Sequence, residues 1–488
     1  MQPEEQLIQE RIKKLDEIRK LGINPYPYKF EAKNFSNEIL EKYKKLKNEG
    51  KTKDKVSLAG RIMTLRPMGK IAFGHLQDNK GKVQFFINEK ELGKKEFELF
   101  NLLDLGDIIG INGTIFRTKA GEITIFANKL ELLTKSLRPL PDKWHGLKDV
   151  EERYRKRYVD LIVNPEVKQI FIKKFRIINS IREILNKEDY IEVDTPIIQP
   201  IYGGANAKPF KTYVNDLKRE SFLRISDELY LKRLIVGGFD KVYELSKDFR
   251  NESIDSKHNP EFSMIEFYQA YADYNDMMEL TEKIIINANK SIGNKNEIEF
   301  LGNKINLKTP FKVMTMKEAI KKYGNLDIDK LNDNELFKLK DKCHLEHQGT
   351  LNRGWMMQLL FEHFAEEKLI QPTFIIEHPS ETTPLCKSSR KNNGLIERFE
   401  LFIGGFEISN GYSELNNPII QRGLLEEQAN ELRAGSEEAH PMDEDFIKAI
   451  EQGMPPTGGV GIGTDRLAMV LTGSNSIKDV ILFPMMKN

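Results

Sequence analysis

Residues 243–268 read Tyr-Glu-Leu-Ser-Lys-Asp-Phe-Arg-Asn-Glu, then a polar loop containing Lys257-His258-Asn259-Pro260, then Glu-Phe-Ser-Met-Ile-Glu-Phe-Tyr. Runs rich in apolar and aromatic residues on either side of a polar loop predict a strand, loop, strand unit. Alternation puts Arg250 and Glu252 on one face of the first strand, and Glu266 and Tyr268 on one face of the second. A cation, several carboxylates, His258 and the aromatic Phe262 are thereby offered by one unit. A surface hairpin with ordinary charges is the competing reading of any single pair.

Working outward, short strands are predicted at Ile191–Val193, Phe222–Ile225, Val242–Leu245 and Phe262–Tyr268, behind a long helix over 167–188. Long, irregular connections between strands favour α+β over a regular βαβ array. Tyr190-Ile-Glu-Val-Asp-Thr-Pro196 closes the long helix. Near the C-terminus, Gly458-Gly459-Val460-Gly461-Ile462-Gly463-Thr464-Asp465-Arg466-Leu467 runs from a glycine-rich strand into a helix. It is neither a dinucleotide fingerprint nor a Walker A motif. Arg466 falls in the first helical turn, where a cation opposes the macrodipole unless an anion lies against both.

The N-terminal part has a different texture. Leu7, Ile8, Ile12, Leu15, Ile18 and Leu21 recur at helical spacing before Gly22, which predicts a helix over 4–21. Five β-rich runs follow, Val56–Met63, Ile71–Leu76, Val83–Ile87, Ile108–Phe116 and Ile123–Leu133, with a helix at 91–103 between the third and fourth. That order is the OB-fold. The organisation expected is a helical extension over 1–55, an OB-fold barrel over 56–137, a linker over 138–160 opened by Arg138-Pro139-Leu140-Pro141, and an α+β domain over 161–488.

A length of 488 residues allows two to four domains, and 39% hydrophobic with 31% charged residues is an ordinary globular composition. Two cysteines, Cys343 and Cys386, argue for a reducing compartment, so the cytoplasm is expected. Neither a signal peptide nor an apolar run long enough to span a membrane is found. Residues 1–140 hold 27 Lys and Arg against 19 Asp and Glu, so a basic module precedes an acidic body. Basic segments often meet phosphate backbones, although a solvated lysine-rich surface explains the charge equally well. Cys343-His344 and His347 lack a fourth ligand cluster and are read as incidental rather than metal-binding.

Taken as whole strings, the stretch over 243–268 resembles motif 2, the segment Gly458–Leu467 motif 3, and Tyr190–Pro196 motif 1 of class II aminoacyl-tRNA synthetases. Their order behind an OB-fold resembles the subgroup holding the aspartate, asparagine and lysine enzymes. Tyr202-Gly-Gly-Ala-Asn-Ala-Lys-Pro-Phe210, Glu228-Leu-Tyr-Leu-Lys-Arg-Leu234, Gly411-Tyr-Ser-Glu-Leu-Asn416 and Asp479-Val-Ile-Leu-Phe-Pro484 are similar to the bacterial lysyl-tRNA synthetases over nearly the whole chain. Small departures are Asp227 where the family usually has Pro, Gly405-Phe406 where Gly-Arg is common, and Thr464 where Ile is usual.

The resemblance implies a catalytic domain on an antiparallel sheet with flanking helices, and a homodimer formed through motif 1. It implies activation of L-lysine by ATP to lysyl-adenylate and transfer of the lysyl group to the 3′ end of tRNA(Lys). Glu228 and the Gly204 carbonyl would hold the α-ammonium, Arg250 and Asn410 the carboxylate, and Glu266, Tyr268 and Glu414 the ε-ammonium, with Tyr412 on the aliphatic stem. Phe262 and Arg466 would face adenine, Glu252 and Asn259 its edge, and His258 the phosphates. Arg250 and Arg466 are the catalytic candidates. Arg61, Phe73, Gln84 and Phe86 would read a U-rich anticodon.

Two points stand on the residues themselves. Three carboxylates, Glu228, Glu266 and Glu414, exceed what one α-ammonium requires and suit a substrate bringing a second cation. Glu400 and Glu407 are an odd number apart, yet a two-residue turn at Gly404-Gly405 would pair 402 with 407 and bring both carboxylates to one face. They could then hold Mg2+ with ATP, and more than one ion is expected. For Asn410, Tyr412 and Glu414 to line the same site, a bulge is required, expected at or near Gly411. Competing functions are a lysyltransferase acting on a protein and a non-catalytic RNA-binding paralogue. The intact 56–134 region weighs against the first, and the retained motif arginines and carboxylates against the second.

Overall fold

The computed structural model describes residues 4–141, 147, 149–347, 351–433 and 440–487. The chain divides into two compact units, residues 1–148 and 149–488.

In the first unit, strands β1 (Lys51–Met68), β2 (Ile71–Gln77), β3 (Lys82–Asn88), β4 (Ile108–Arg117) and β5 (Ile123–Thr134) close a barrel in the order β1-β2-β3-β5-β4. Alternation decides what fills it: Ala72, Leu76, Val83, Phe85 and Ile87 point inward and are buried. The connection after β3 holds two short helices, Glu89–Leu92 and Lys94–Asn101, where the sequence predicted one. Gly93, at φ 92°, breaks them apart. Helices α1 (Glu4–Lys20) and α2 (Ser36–Tyr43) add Ile18, Ile39 and Tyr43 to the barrel core. The extension is therefore packed against the barrel, and β1 starts at Lys51 rather than Val56.

The second unit is built on an eight-stranded sheet. Its strands are β6 (Ile191–Glu192), β7 (Lys241–Phe249), β8 (Glu261–Ala270), β9 (Lys312–Thr315), β10 (Thr373–Pro379), β11 (Leu395–Ile403), β12 (Phe406–Ser413) and β13 (Thr457–Gly463), ordered β9-β10-β11-β12-β13-β8-β7-β6. The middle of the sheet is antiparallel, as expected, and each edge adds one parallel pair, β9 with β10 and β7 with β6. Helix α3 (Pro165–Lys187), with Pro at its start, lays Ile177, Ile181 and Leu185 against this sheet. Each such side chain contributes about 1.5–3 kcal/mol by leaving water. Helices α4 (Glu228–Val236), α5 (Arg353–Phe364) and α6 (Thr464–Thr472) position side chains at the site below.

Residues 150–160, where the end of a linker was expected, fall in two short helices, Val150–Arg155 and Arg157–Val163. The cause is Arg157, whose buried guanidinium pairs with Asp160 at 2.7 Å and donates to the carbonyls of Lys478 and Leu482. A buried cation that makes four hydrogen bonds, three of them to carbonyls of residues 478–482, holds that segment to this later stretch of the chain. Among the described residues, no helix is long and apolar enough to cross a membrane.

Candidate active site

Strands β8, β11, β12 and β13, with α4, surround a cavity of about 440 Å³. Gly404 and Gly405, at φ 67° and 77°, make the predicted two-residue turn between β11 and β12, and Phe402 pairs with Glu407. The register then shifts, so that Leu401 pairs with Ser409 and Glu400 with Asn410. The bulge thus falls at Ile408, three residues before the expected Gly411. It does the required work: Glu400, Glu407, Asn410 and Tyr412 all border the cavity.

Glu266 and Tyr268 share a face of β8, and Tyr268 Oη donates to Glu266 Oε2 at 3.1 Å. Arg250 lies one residue past β7 and Glu252 lies in the following loop, off the strand on which the sequence placed both. The loop begins there because Arg250 N bonds to Pro260 O and Glu252 N folds back on Arg250 O. The Arg250 guanidinium sits 5.0 Å over the Phe262 ring, and its Nε is buried without a partner among the described residues. Arg466 lies in the first turn of α6, reaching Glu407 Oε2 at 3.3 Å and His258 Nε2 at 3.0 Å. Because arginine can only donate, His258 accepts at Nε2 and presents Nδ1–H to Asp255. Asn259 is buried and anchored to Glu261 O.

Ser226 Oγ accepts from Glu228 N at 3.2 Å and donates to Glu266 Oε1 at 2.9 Å, tying the start of α4 to β8. Gly204, at φ 89°, approaches the same place, where an added Cβ would be 2.7 Å from Ser226 Oγ. Gly459 is needed for a different reason, since a Cβ there would lie 2.1 Å from Glu414 Oε1 and 2.4 Å from the Tyr268 ring. The pocket floor is accordingly bare backbone.

Two charged residues escaped the sequence reading. Lys232, fully buried, joins Glu228 Oε1 at 2.6 Å and Glu414 Oε2 at 2.5 Å. Arg398 bonds Glu400 Oε1 at 2.5 Å, Asn410 Oδ1 at 3.3 Å and Thr382 Oγ1 at 3.1 Å. Spacing could have found both: Lys232 is one helical turn from Glu228, and Arg398 shares the alternation of Glu400. Lys232 also corrects the charge argument. One ammonium already answers one of the three carboxylates, and two remain.

Those carboxylates are crowded. Burial, reinforced by Asp248 and Glu228, pushes Glu266 up to about 8, and burial with Glu228 beside it pushes Glu414 up to about 8. Beneath Glu266, Asp227 and Asp248 are fully buried with Arg224, whose Nη1 is 3.0 Å from Asp227 Oδ1. Burial first, and Asp248 second, hold the Asp227 carboxyl far above its ordinary range. A carboxyl whose folded pKa is raised stabilises the fold below its unfolded pKa of about 4, and that stability is lost as pH rises. Asp227→Asn is therefore expected to raise stability by about 2 kcal/mol at pH 8 and by much less at pH 4.5, read as Tm in thermal melts.

Glu400 and Glu407 offer hard oxygen donors on one face, and Glu362 and Glu366 approach from α5 and the turn after it. Glu366 is pushed up to about 7 by burial, then by Glu407 and Glu400, and Glu407 is raised by burial and Glu400. Carboxylates that raise one another in this way fit a divalent cation.

On the barrel, Phe73 and Phe86 lie 4.7 Å apart on the outer face and are half-buried, so neither belongs to the core. Phe116 and Phe126, which the sequence reading missed, complete the aromatic patch, with Phe126 stacked on Phe86 at 5.4 Å. Gln84 joins Glu122 and Thr124 beside them, and His75 joins Thr64 and Glu122. Arg61 pairs opposite Gln77, four residues from Phe73 or roughly 13 Å along the strand, and is tied to Gly106 O at 2.7 Å.

A family model for class II tRNA synthetases (D, K and N) matches residues 149–487, and one for an OB-fold nucleic acid binding domain matches 56–133. The chain is 48% identical over 479 residues to a lysine–tRNA ligase of Methanoculleus marisnigri, covering 98% of this chain and 94% of that protein. It belongs to the lysine–tRNA ligase family of class II synthetases. Similar lysine–tRNA ligases are those of Carboxydothermus hydrogenoformans, at 48% identity over 99% of this chain and 98% of that one, and Pelotomaculum thermopropionicum, at 49% over 99% and 95%. The expected synthetase, with an OB-fold module ahead of a class II catalytic domain, is thus what the lysine–tRNA ligase family membership states. Family membership also accounts for a requirement for metal ions with ATP.

Proposed function

We propose a residue-level account of how this enzyme activates L-lysine with ATP and passes it to tRNA. The α-ammonium binds between Glu228 and the Gly204 carbonyl, the carboxylate faces Arg250 and Asn410, and the ε-ammonium lies among Glu266, Tyr268 and Glu414, with Tyr412 along the stem. The observation that carries this reading is the charge of the cavity: three buried carboxylates against the single ammonium of Lys232. A substrate with two ammonium groups completes it, and an aspartate side chain is repelled.

ATP lies between Phe262 and Arg466, with Glu252 and Asn259 at the adenine edge and His258 toward the phosphates. The lysine carboxylate attacks the α-phosphorus in line, pyrophosphate leaves, and the adenylate then acylates the terminal ribose of the tRNA. Arg250 donates to the carboxylate and to the α-phosphate as charge develops, so catalysis is positioning and charge stabilisation. Glu400 and Glu407 would hold Mg2+, more than one ion with Glu362 and Glu366 nearby. Mg2+ bound there supplies charge neutralisation at the phosphates.

The aromatic patch around Phe73 and Phe86 suits unstacked bases, here those of the U-rich tRNA(Lys) anticodon. Phe73→Ala is expected to raise the tRNA KM roughly 10- to 100-fold, as loss of one stacking platform does, with lysine-dependent pyrophosphate exchange unchanged. Loss of exchange as well would give Phe73 a folding role instead.

Homodimerisation through α3 and the motif 1 strand is supported by Phe175, Ile191, Ile197 and Ile198, all large apolar residues left exposed. Two free cysteines agree with a cytoplasmic setting. The test of the whole reading is ATP–pyrophosphate exchange with each of the twenty amino acids, with magnesium and without tRNA. Exchange with lysine alone is expected, followed by charging of tRNA(Lys). Exchange with none, from folded protein, would put the RNA-binding reading ahead, and exchange without charging would favour transfer to a protein.

A further inference from the structure

Lys232 has no task in lysine binding as proposed, yet it touches two of the three pocket carboxylates, Glu228 and Glu414. It stands one turn beyond Glu228 on α4, fully buried. Its ammonium donates to Glu228 Oε1 at 2.6 Å and Leu385 O at 3.5 Å and forms an ion pair with Glu414 Oε2 at 2.5 Å. The two carboxylates it bridges belong to opposite ends of the bound lysine in the reading above: Glu228 to the α-ammonium, Glu414 to the ε-ammonium.

We propose that Lys232 is a positioning and specificity-determining residue, a resident counter-cation that holds Glu228 and Glu414 in place and leaves the pocket with negative charge for two ammonium groups. This rests on the lysine-pocket reading. Glu414, which burial already pushes up to about 8, shares this ammonium with Glu228, whose carboxyl Lys232 pulls down; without Lys232 the two would face each other as like charges in a dry site and would retain one more proton between them than in the parent. A proton there competes with the substrate, because lysine must displace it on entry.

Among the described residues no neighbour replaces this cation. Arg398, on β11, is taken up by Glu400, Asn410 and Thr382. His440 is pushed down to about 4 by burial and by Lys232 itself, and is neutral. Burial raises Tyr268 on β8, Tyr412 on β12 and Cys386 beside Glu414, so these stay uncharged, while Glu266 on β8 adds negative charge.

The test compares Lys232→Met and Lys232→Gln with the parent enzyme, measuring the lysine KM in pyrophosphate exchange from about pH 6.5 to 8.5. Both variants are expected to raise the lysine KM at least tenfold near neutrality, with the ATP KM within about twofold. The ratio of variant to parent KM should fall by about tenfold per pH unit as pH rises, because one more proton is displaced by lysine. Glutamine keeps a hydrogen-bond donor and loses the charge, so it follows methionine and decides the matter if methionine impairs folding. The paired variant Lys232→Met with Glu414→Gln removes a carboxylate together with its cation, and the extra pH slope should vanish while KM stays high. A ratio independent of pH, a glutamine variant that matches the parent, or a slope that persists in the pair would overturn the proposal. Failure of the parent enzyme to exchange with lysine would instead indict the pocket reading itself.

Discussion

Arg250→Ala is expected to lower lysine-dependent pyrophosphate exchange by about a thousandfold or more, with the thermal melt little changed. Removing a single neutral donor aimed at developing charge costs roughly 10²- to 10³-fold in rate, and a guanidinium contacting two anions at once does more. The geometry explains why stability should hardly suffer: Arg250 is only partly buried, its one backbone contact, to Ile225 O, is long at 3.5 Å, and its Nε has no partner within the described residues. Its donors are held ready, stacked over Phe262, and are not spent on the fold. Arg250→Lys should restore little, because a point charge lacks the planar fork that spans carboxylate and phosphate. Stopped-flow or exchange kinetics that leave Arg250→Ala within tenfold of the parent would remove this residue from the chemistry.

The second large effect is expected at Glu266. Glu266→Gln keeps the volume and one acceptor but leaves the ε-ammonium short of a charged partner in a water-poor site. Truncating one member of a buried, hydrogen-bonded charge pair costs about 2–5 kcal/mol. The kcat/KM for lysine should therefore fall by roughly 10²- to 10³-fold, while the ATP KM stays within about twofold. Unchanged lysine kinetics would sink the ε-ammonium assignment. The same substitution removes a carboxyl that burial has pushed up to about 8, so the variant should also be somewhat more stable at alkaline pH than the parent.

What the sequence made legible follows from how local each signal is. Barrel strands announce themselves by alternation, and the turn at Gly404-Gly405 by two residues free to adopt positive φ, so the pairing of Phe402 with Glu407 was predictable. The need for a bulge was predictable too, from parity, but not its place. Any residue between Glu407 and Asn410 satisfies the count, and packing puts it at Ile408, whose side chain is buried. Lys232 was hidden for the opposite reason. In Glu228-Leu-Tyr-Leu-Lys-Arg-Leu234 two cations stand side by side, and helical spacing singles out Lys232, four residues on, only once Glu228 is known to face inward. Arg233 reaches Asp443 at the edge of the fold, whereas Lys232 enters the pocket. Residues 150–160 looked like linker because what orders them, Arg157 against the backbone of residues 478–482, is more than 300 positions away in the chain.

The glycine strand beneath the pocket also limits how this enzyme can be re-engineered. At Gly459 even a methyl group would collide with Glu414 and Tyr268, so the floor carries no side chain to exchange. Altered amino-acid preference must come from the walls, where Tyr412 and Glu414 lie on or beside β12 and Glu266 and Tyr268 on β8. Selection libraries for lysine analogues with longer or bulkier tails would best diversify those four positions and leave residues 458–463 as they are.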